Sequence, residues 1–182
     1  MANKIPVEVS GRHVHLSRKD ADTLFGKGYT FKKSKELSQP GQFAAEETVS
    51  IINGDRKIEN VRILGPEREQ TQVELSLTDV KNLRIKEMDS SKIKISGPNG
   101  SVGIRITLAH RHLHASPEDA KKLRLKNNQL ISIKIPGKRG VIFSNVLVRI
   151  SKDYKLAFHI DTDEGNAAGI EGNIYGEIIR QS

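Results

Sequence analysis

The sequence predicts a mainly β fold built from two related halves. Short alternating or apolar runs recur along its 182 residues, Gly, Pro and Asn signals separate them, and one strand–turn–helix motif appears near the start and again past the midpoint.

The first copy of the motif is Arg12-His13-Val14-His15-Leu16-Ser17 and the second is Arg111-His112-Leu113-His114-Ala115-Ser116. Side chains at i and i+2 of a strand share a face, so each His-x-His aims two imidazoles one way while Val14 or Leu113 points to a core. Ser17 and Ser116 then stand at helix N-cap positions, with Asp20 and Asp119 three residues on as variants of the capping box. Ala21/Leu24 and Ala120/Leu123 open the apolar stripe of a short helix, and Pro117 takes a favoured first-turn place. Between the copies lies Gln72-Val73-Glu74-Leu75-Ser76, with Asp79, Val80 and Leu83 at the matching offsets. A fainter fourth unit is expected from His159-Ile160-Asp161, with Asn166, Ala167 and Ile170 at those offsets. Of the six histidines, only His110 falls outside these units. One His-x-His alone is ordinary on a strand surface; two copies with Glu74 in the same register indicate a metal site.

In chain order, further strands are expected at 5–9, 48–52, 60–64, 71–75, 92–96, 102–107, 130–135, 141–149, 155–160 and 175–179. Turns fall at Asn53-Gly54-Asp55, Gly65-Pro66, Gly97-Pro98-Asn99-Gly100 and Pro136-Gly137-Lys138. Strands this short and frequent point to sandwiches or small closed barrels. No linker separates the halves, so any two domains are expected to be tightly joined.

Composition narrows the function. The absence of cysteine excludes disulfides, thiolate zinc sites and a cysteine nucleophile. No stretch approaches the roughly 18 apolar residues of a membrane span, and the residues before the first motif leave no room for a signal peptide, so the expected location is cytoplasmic. The net charge of +8 suggests an anionic partner, a polyanion or a phosphorylated small molecule. With five Phe, three Tyr and no Trp, stacking platforms for nucleic acid are poorly supplied.

Imidazoles with one carboxylate suit zinc, and also nickel, cobalt or iron. His13, His15 and Glu74 make one candidate set and His112, His114 and His159 another. Three protein ligands with a position left open is the catalytic rather than the structural pattern. Asp161 or Asp163 is expected to hold an imidazole from behind. His110 shares the strand face of the second pair but has Gly11 at its place in the first, so it is expected beside or behind the ligands. Arg62 and Arg68 flank Gly65-Pro66 ahead of Glu74; guanidinium groups suit a bidentate grip on phosphate, although in so basic a chain solvated surface charge also fits.

Several longer motifs are recognisable. Gly11-Arg12-His13-Val14-His15-Leu16-Ser17, Leu37-Ser38-Gln39-Pro40-Gly41-Gln42-Phe43-Ala44-Ala45, Val61-Arg62-Ile63-Leu64-Gly65-Pro66, Thr71-Gln72-Val73-Glu74, Arg111-His112-Leu113-His114 and His159-Ile160-Asp161-Thr162-Asp163-Glu164 closely resemble the PduL family of phosphotransacylases over nearly the whole chain. The resemblance implies two β-barrels capped by short α-helices, with the active site and two zinc ions between them. Residues 1–11 and 110–182 would form the first barrel and 12–109 the second. It implies one zinc on His13, His15 and Glu74 and the other on His112, His114 and His159. Arg68 matches the phosphate-holding arginine, and Lys35, Arg62, Leu64, His159 and Asn166 match positions lining a coenzyme A pocket. The implied reaction is acyl-CoA (acetyl or propanoyl) plus phosphate giving acyl phosphate and CoA, reversibly. A homo-oligomer, commonly a dimer, is implied, with no nucleic-acid or membrane partner.

This chain departs from the family pattern in two places. The 85–101 stretch looks shorter and lacks the arginine-serine-glycine loop expected there, and Gly165 stands where alanine is common. Members packed into bacterial microcompartments usually carry an N-terminal targeting extension, and none is seen here. A free cytoplasmic enzyme is therefore expected, with acetyl preferred over propanoyl. Two other classes share some of these features: a metal-dependent thioester or phosphoester hydrolase, and a nucleic-acid binder suggested by charge alone.

Overall fold

A computed structural model describes residues 4–86 and 93–179. The first residue of the strand expected at 92–96, and residues 87–92 of the shortened stretch, lie outside the described residues. In chain order the strands begin with β1 (Lys4–Ser10), β2 (His13–His15), β3 (Lys33–Glu36), β4 (Phe43–Asn53), β5 (Arg56–Gly65) and β6 (Gln72–Leu75). They continue with β7 (Ile93–Ser96), β8 (Ser101–Gly103), β9 (Ile106–Leu108), β10 (His112–Ala115), β11 (Leu130–Ile135), β12 (Val141–Ile150), β13 (Ala157–Asp161) and β14 (Ile174–Ile179). Among the described residues four short helices follow four of these strands: α1 (Arg18–Phe25), α2 (Leu77–Asn82), α3 (Pro117–Leu123) and α4 (Thr162–Ala167).

The chain divides into two compact units, Gly11–Ala109 and the remainder, in which the N-terminal strand joins everything from His110 onward. In the second unit six strands close into a barrel in the order β1-β13-β10-β12-β11-β14. In the central unit the order is β8-β7-β4-β5-β2-β6-β9, an open half-barrel sheet with β3 added beside β4. Each has its own core. Val14, Leu24, Ile51, Ile63, Val73, Leu75 and Ile95 fill the central one, and Ile5, Leu113, Ile133, Val146, Val148 and Phe158 the barrel. Apart from Leu24, which α1 contributes, these are the inward residues of alternating strands, as period-2 patterning requires.

The two units superimpose in pairing logic. β9 runs parallel to β6, β6 antiparallel to β2, and β2 parallel to β5. β1, β13, β10 and β12 repeat that series with the same senses. Antiparallel β5-β4-β7 likewise matches β12-β11-β14. The units differ in closure: β14 pairs back onto β1, whereas β7 takes β8.

Several expectations are corrected. β3 is Lys-Ser-Lys-Glu, exposed throughout, so it carries no apolar signal; it exists because β4 lends it an edge, Lys35 lying against Ala44. The single strand expected at 102–107 is two, because β8 pairs antiparallel with β7 while β9 pairs parallel with β6. The fourth repeat is displaced by two residues. Its helix is capped by Asp161, which accepts from the Glu164 amide at 2.8 Å, so Asp161 takes the place of Ser17. Gly165 and Ala168, both buried, take the places of Ala21 and Leu24, while Asn166 and Ala167 are exposed. His159 is thus equivalent to His15, not His13. Gly165 is also explained: a Cβ there would lie 2.9 Å from both methyls of Val9.

All three serine caps form, each accepting from the aspartate amide three residues on. The reciprocal half of the box is complete only at Ser116/Asp119 and Asp161/Glu164. In the first repeat the Asp20 carboxylate instead accepts from the Thr71 hydroxyl, and in the third Asp79 accepts Arg12 at 2.8 Å.

Candidate functional site

In the central unit the ligand candidates sit on two neighbouring strands. β2 carries His13 and His15 on one face, with fully buried Val14 on the other. Antiparallel pairing sets Glu74 of β6 directly opposite His13. The His13 Nδ1 hydrogen bonds to the Gly11 carbonyl at 2.9 Å; that bond makes Nδ1 the protonated nitrogen and leaves the lone pair on Nε2. Nε2 lies 3.6 Å from Glu74 Oε2. The His15 ring stands edge-on to His13 at 5.2 Å. Burial first, then the charges of Arg68 and His13, push the His15 pKa down to about 3, with the Leu64 backbone pulling the other way. His15 is therefore neutral at physiological pH, and its buried Nδ1 makes no hydrogen bond of good geometry. A neutral buried imidazole with an unsatisfied nitrogen suits a metal ion better than it suits a packed core.

Arg68 is seated at the end of the same strand. Beyond β5 the chain passes a cis Gly65-Pro66 bond, and the Arg68 amide then donates to Leu16 O at 2.9 Å. An isolated parallel bridge links Ser17 to Arg68, and Thr71 accepts the Ser17 amide at 2.9 Å. These bonds tie the loop to the turn that follows His15. An open cavity of about 260 Å³ results, bordered by His15, Gly41, Gln42, Gly65, Pro66 and Arg68. Gly65 is required there, since a Cβ would fall 2.2 Å from Phe43 Cζ. A larger cavity of about 630 Å³ in the barrel unit is bordered by none of the histidines, so size does not mark the site.

Of the remaining candidates in this unit, Lys35 and Leu64 lie on either side of Ala44, in one row across β3, β4 and β5. Arg62 neighbours His13 on β5 and donates through Nη1 to the carbonyls of Ala45 (2.8 Å) and Glu46 (2.9 Å).

In the barrel unit the convergence is closer. His112, His114 and His159 place one nitrogen each within 4.8 Å of the others, and among the described residues no other group of three His, Asp or Glu does so. The antiparallel register of β10 and β13 sets His112 opposite His159, as His13 faces Glu74. His112 Nδ1 hydrogen bonds to the His110 carbonyl at 2.8 Å, repeating the Gly11–His13 bond. His110 therefore serves through its backbone. The His114 ring stacks on Tyr154 at 3.8 Å, only 12° from parallel, and His159 Nδ1 lies 3.5 Å from Glu8 Oε2. Asp161, expected behind an imidazole, is instead the cap of α4. Asn166, exposed on α4, shares this unit, whereas Lys35, Arg62, Leu64 and Arg68 belong to the other.

One further pair recurs. The arginine before each His-x-His reaches the acid in the first turn of the helix that follows the facing strand: Arg12 to Asp79, Arg111 to Glu164. Burial raises the Glu164 pKa from its ordinary value, against the pull of the Asp161 amide and Arg111. Asp79 is almost fully buried, so Arg12→Ala strands a carboxylate away from water. We expect a loss of about 2–3 kcal/mol, toward the low end for buried pairs because Arg12 is itself half exposed; the urea midpoint checks it. Sequence reasoning missed these acids as arginine partners, and missed Glu8 and Tyr154 altogether. The only available signal was the interruption of the apolar β1 pattern by Glu8.

Residues 6–171 match the family model described as phosphate propanoyltransferase. The chain is 43% identical over 188 residues to a phosphate propanoyltransferase of Clostridioides difficile, covering 98% of this chain and 90% of that one. It is 46% identical over 175 residues to one of Thermotoga maritima, with 90% and 83% covered. A third, from Sebaldella termitidis, is 42% identical over 185 residues, with 96% and 88% covered.

Proposed function

The chain belongs to the phosphate propanoyltransferase family and is a transferase, and from that membership we propose that it interconverts a short-chain acyl-CoA and inorganic phosphate with acyl phosphate and free CoA, with two zinc ions bound per chain. Acetyl and propanoyl groups are the candidate acyl groups. The observation that carries this is the cavity where Arg68 and the unsatisfied His15 meet at the end of a ligand-bearing strand. His13, His15 and Glu74 would hold one ion and His112, His114 and His159 the other. Tautomers fixed by the Gly11 and His110 carbonyls, the neutral state of His15 and the three-nitrogen convergence all fit such ions. Bound zinc supplies Lewis acidity to a carbonyl oxygen or a departing thiolate.

The chain's own residues do the gathering. A phosphate oxygen attacks the thioester carbonyl, the carbon–sulfur bond breaks, and no protein nucleophile is needed, in keeping with a chain that has no cysteine. Arg68 offers a planar fork to the phosphate and offsets its charge as it approaches the thioester. In the central unit Lys35, Arg62 and Leu64 would contact CoA, the cations meeting its phosphates, and in the barrel unit His159 and Asn166 are the residues proposed to contact it. A homodimer in the cytoplasm completes the proposal; no helix among the described residues is long and apolar enough to cross a membrane.

The test is thiol release from acetyl-CoA and propanoyl-CoA, with and without phosphate, on zinc-loaded and chelated protein. Release that requires both phosphate and metal is the expected result and ranks the two acyl groups. Release without phosphate identifies a hydrolase, and no release from metal-loaded protein removes the proposed substrates.

A further inference from the structure

We infer that Glu8, on the N-terminal strand, is a positioning residue for His159: its carboxylate accepts the Nδ1 proton, fixes the tautomer that turns Nε2 toward His112 and His114, and strengthens His159 as a donor. This rests on the proposal that the three histidines hold a metal ion. Parallel pairing of β1 with β13 sets Glu8 beside His159, and Glu8 Oε2 lies 3.5 Å from His159 Nδ1. Another imidazole held from behind in this cluster is His112, which uses a backbone carbonyl two residues upstream. At the equivalent position His159 has Ala157, whose backbone faces His114 across β10, and the carboxylate of the neighbouring strand stands at the Nδ1 side.

The two halves of the chain provide an internal control. The position equivalent to His159 in the central unit is Glu74, and its parallel neighbour on β9 is Thr107. A carboxylate ligand has no N–H to place, and a second carboxylate beside it would repel it. An imidazole ligand has such a proton, and a carboxylate behind it raises its basicity. Acid accompanies histidine, and a neutral hydroxyl accompanies glutamate. A general need for strand-surface charge would not produce that pairing.

Glu8 is partly exposed, its side chain retaining 31% of its accessible surface, so its replacement is expected to leave the metal-free fold intact. The experiment is zinc titration of the full chain against a competing chelator, for wild type, Glu8→Ala, Glu8→Gln and His159→Ala, with nitrogen-15 NMR of the histidine rings in the metal-free protein. Glu8→Ala should weaken one of the zinc sites about 10–100-fold and leave the other unchanged. Glu8→Gln, which keeps an acceptor oxygen but no charge, should fall between. The His159 ring should lose its Nδ1-protonated signature in Glu8→Ala only. Unchanged zinc affinity in Glu8→Ala, with His159→Ala still losing a zinc, overturns the role of Glu8. If wild type binds no zinc, or His159→Ala loses none, the metal proposal itself falls and this inference with it.

Discussion

Replacing Arg68 with alanine is expected to lower turnover about 10²–10³-fold, the usual consequence of removing a preorganised donor from developing negative charge. Stability should barely change. The side chain is exposed, and what anchors the loop is the Arg68 amide on Leu16 O, which alanine retains. Arg68→Lys keeps the charge but loses the planar fork, so it should recover only part of the rate. The effect should appear as a raised KM for phosphate together with a lowered kcat, with the acyl-CoA KM little altered. Near-normal kinetics in Arg68→Ala would remove the phosphate-holding role.

Loss of His159 is expected to be at least as severe. Its ring lies 5.0 Å from His112 and 4.7 Å from His114, so it completes the only close nitrogen trio among the described residues. Metal-assisted charge stabilisation is worth several kcal/mol, and at about 1.4 kcal/mol per factor of ten its loss costs about 10³-fold in rate. Metal analysis should show one zinc fewer per chain in His159→Ala, and added zinc should not restore activity. Full activity with full zinc content would show that His159 is not a ligand.

Much of the fold is legible because it is written locally. Val14, Val73 and Leu113 sit between polar neighbours and are fully buried, so the face each histidine occupies follows from alternation alone. The serine caps are similarly short-range. What escaped is non-local. β3 has no pattern of its own and depends on β4; the split of β8 from β9 depends on which strands lie alongside. The fourth repeat misaligned because an aspartate replaced the expected serine cap and shifted the apparent register by two. Glu8 and Tyr154 reach the histidine cluster through strand pairing and ring stacking across large sequence separations, which no window along one chain can display. The arginine–acid pairs were hidden for the same reason: each joins one repeat to the helix of the next.

The matching strand orders have a consequence for how such a molecule can exist. Along the chain one repeat runs from β1 to β8 and the other from β9 to β14, yet β1 pairs with β13 and β14, and β9 with β6. Each repeat has given its leading strand to the sheet of the other, a domain swap carried out within a single polypeptide. A lone repeat would carry a strand with nothing to pair and a bare edge beside β6, and only a second copy could complete it. Joining the copies end to end makes the exchange permanent and independent of concentration. It also frees the two halves to diverge. A swapped dimer of identical chains would have to build the same ligands twice, whereas the fused chain can set Glu74 beside Thr107 in one half and His159 beside Glu8 in the other.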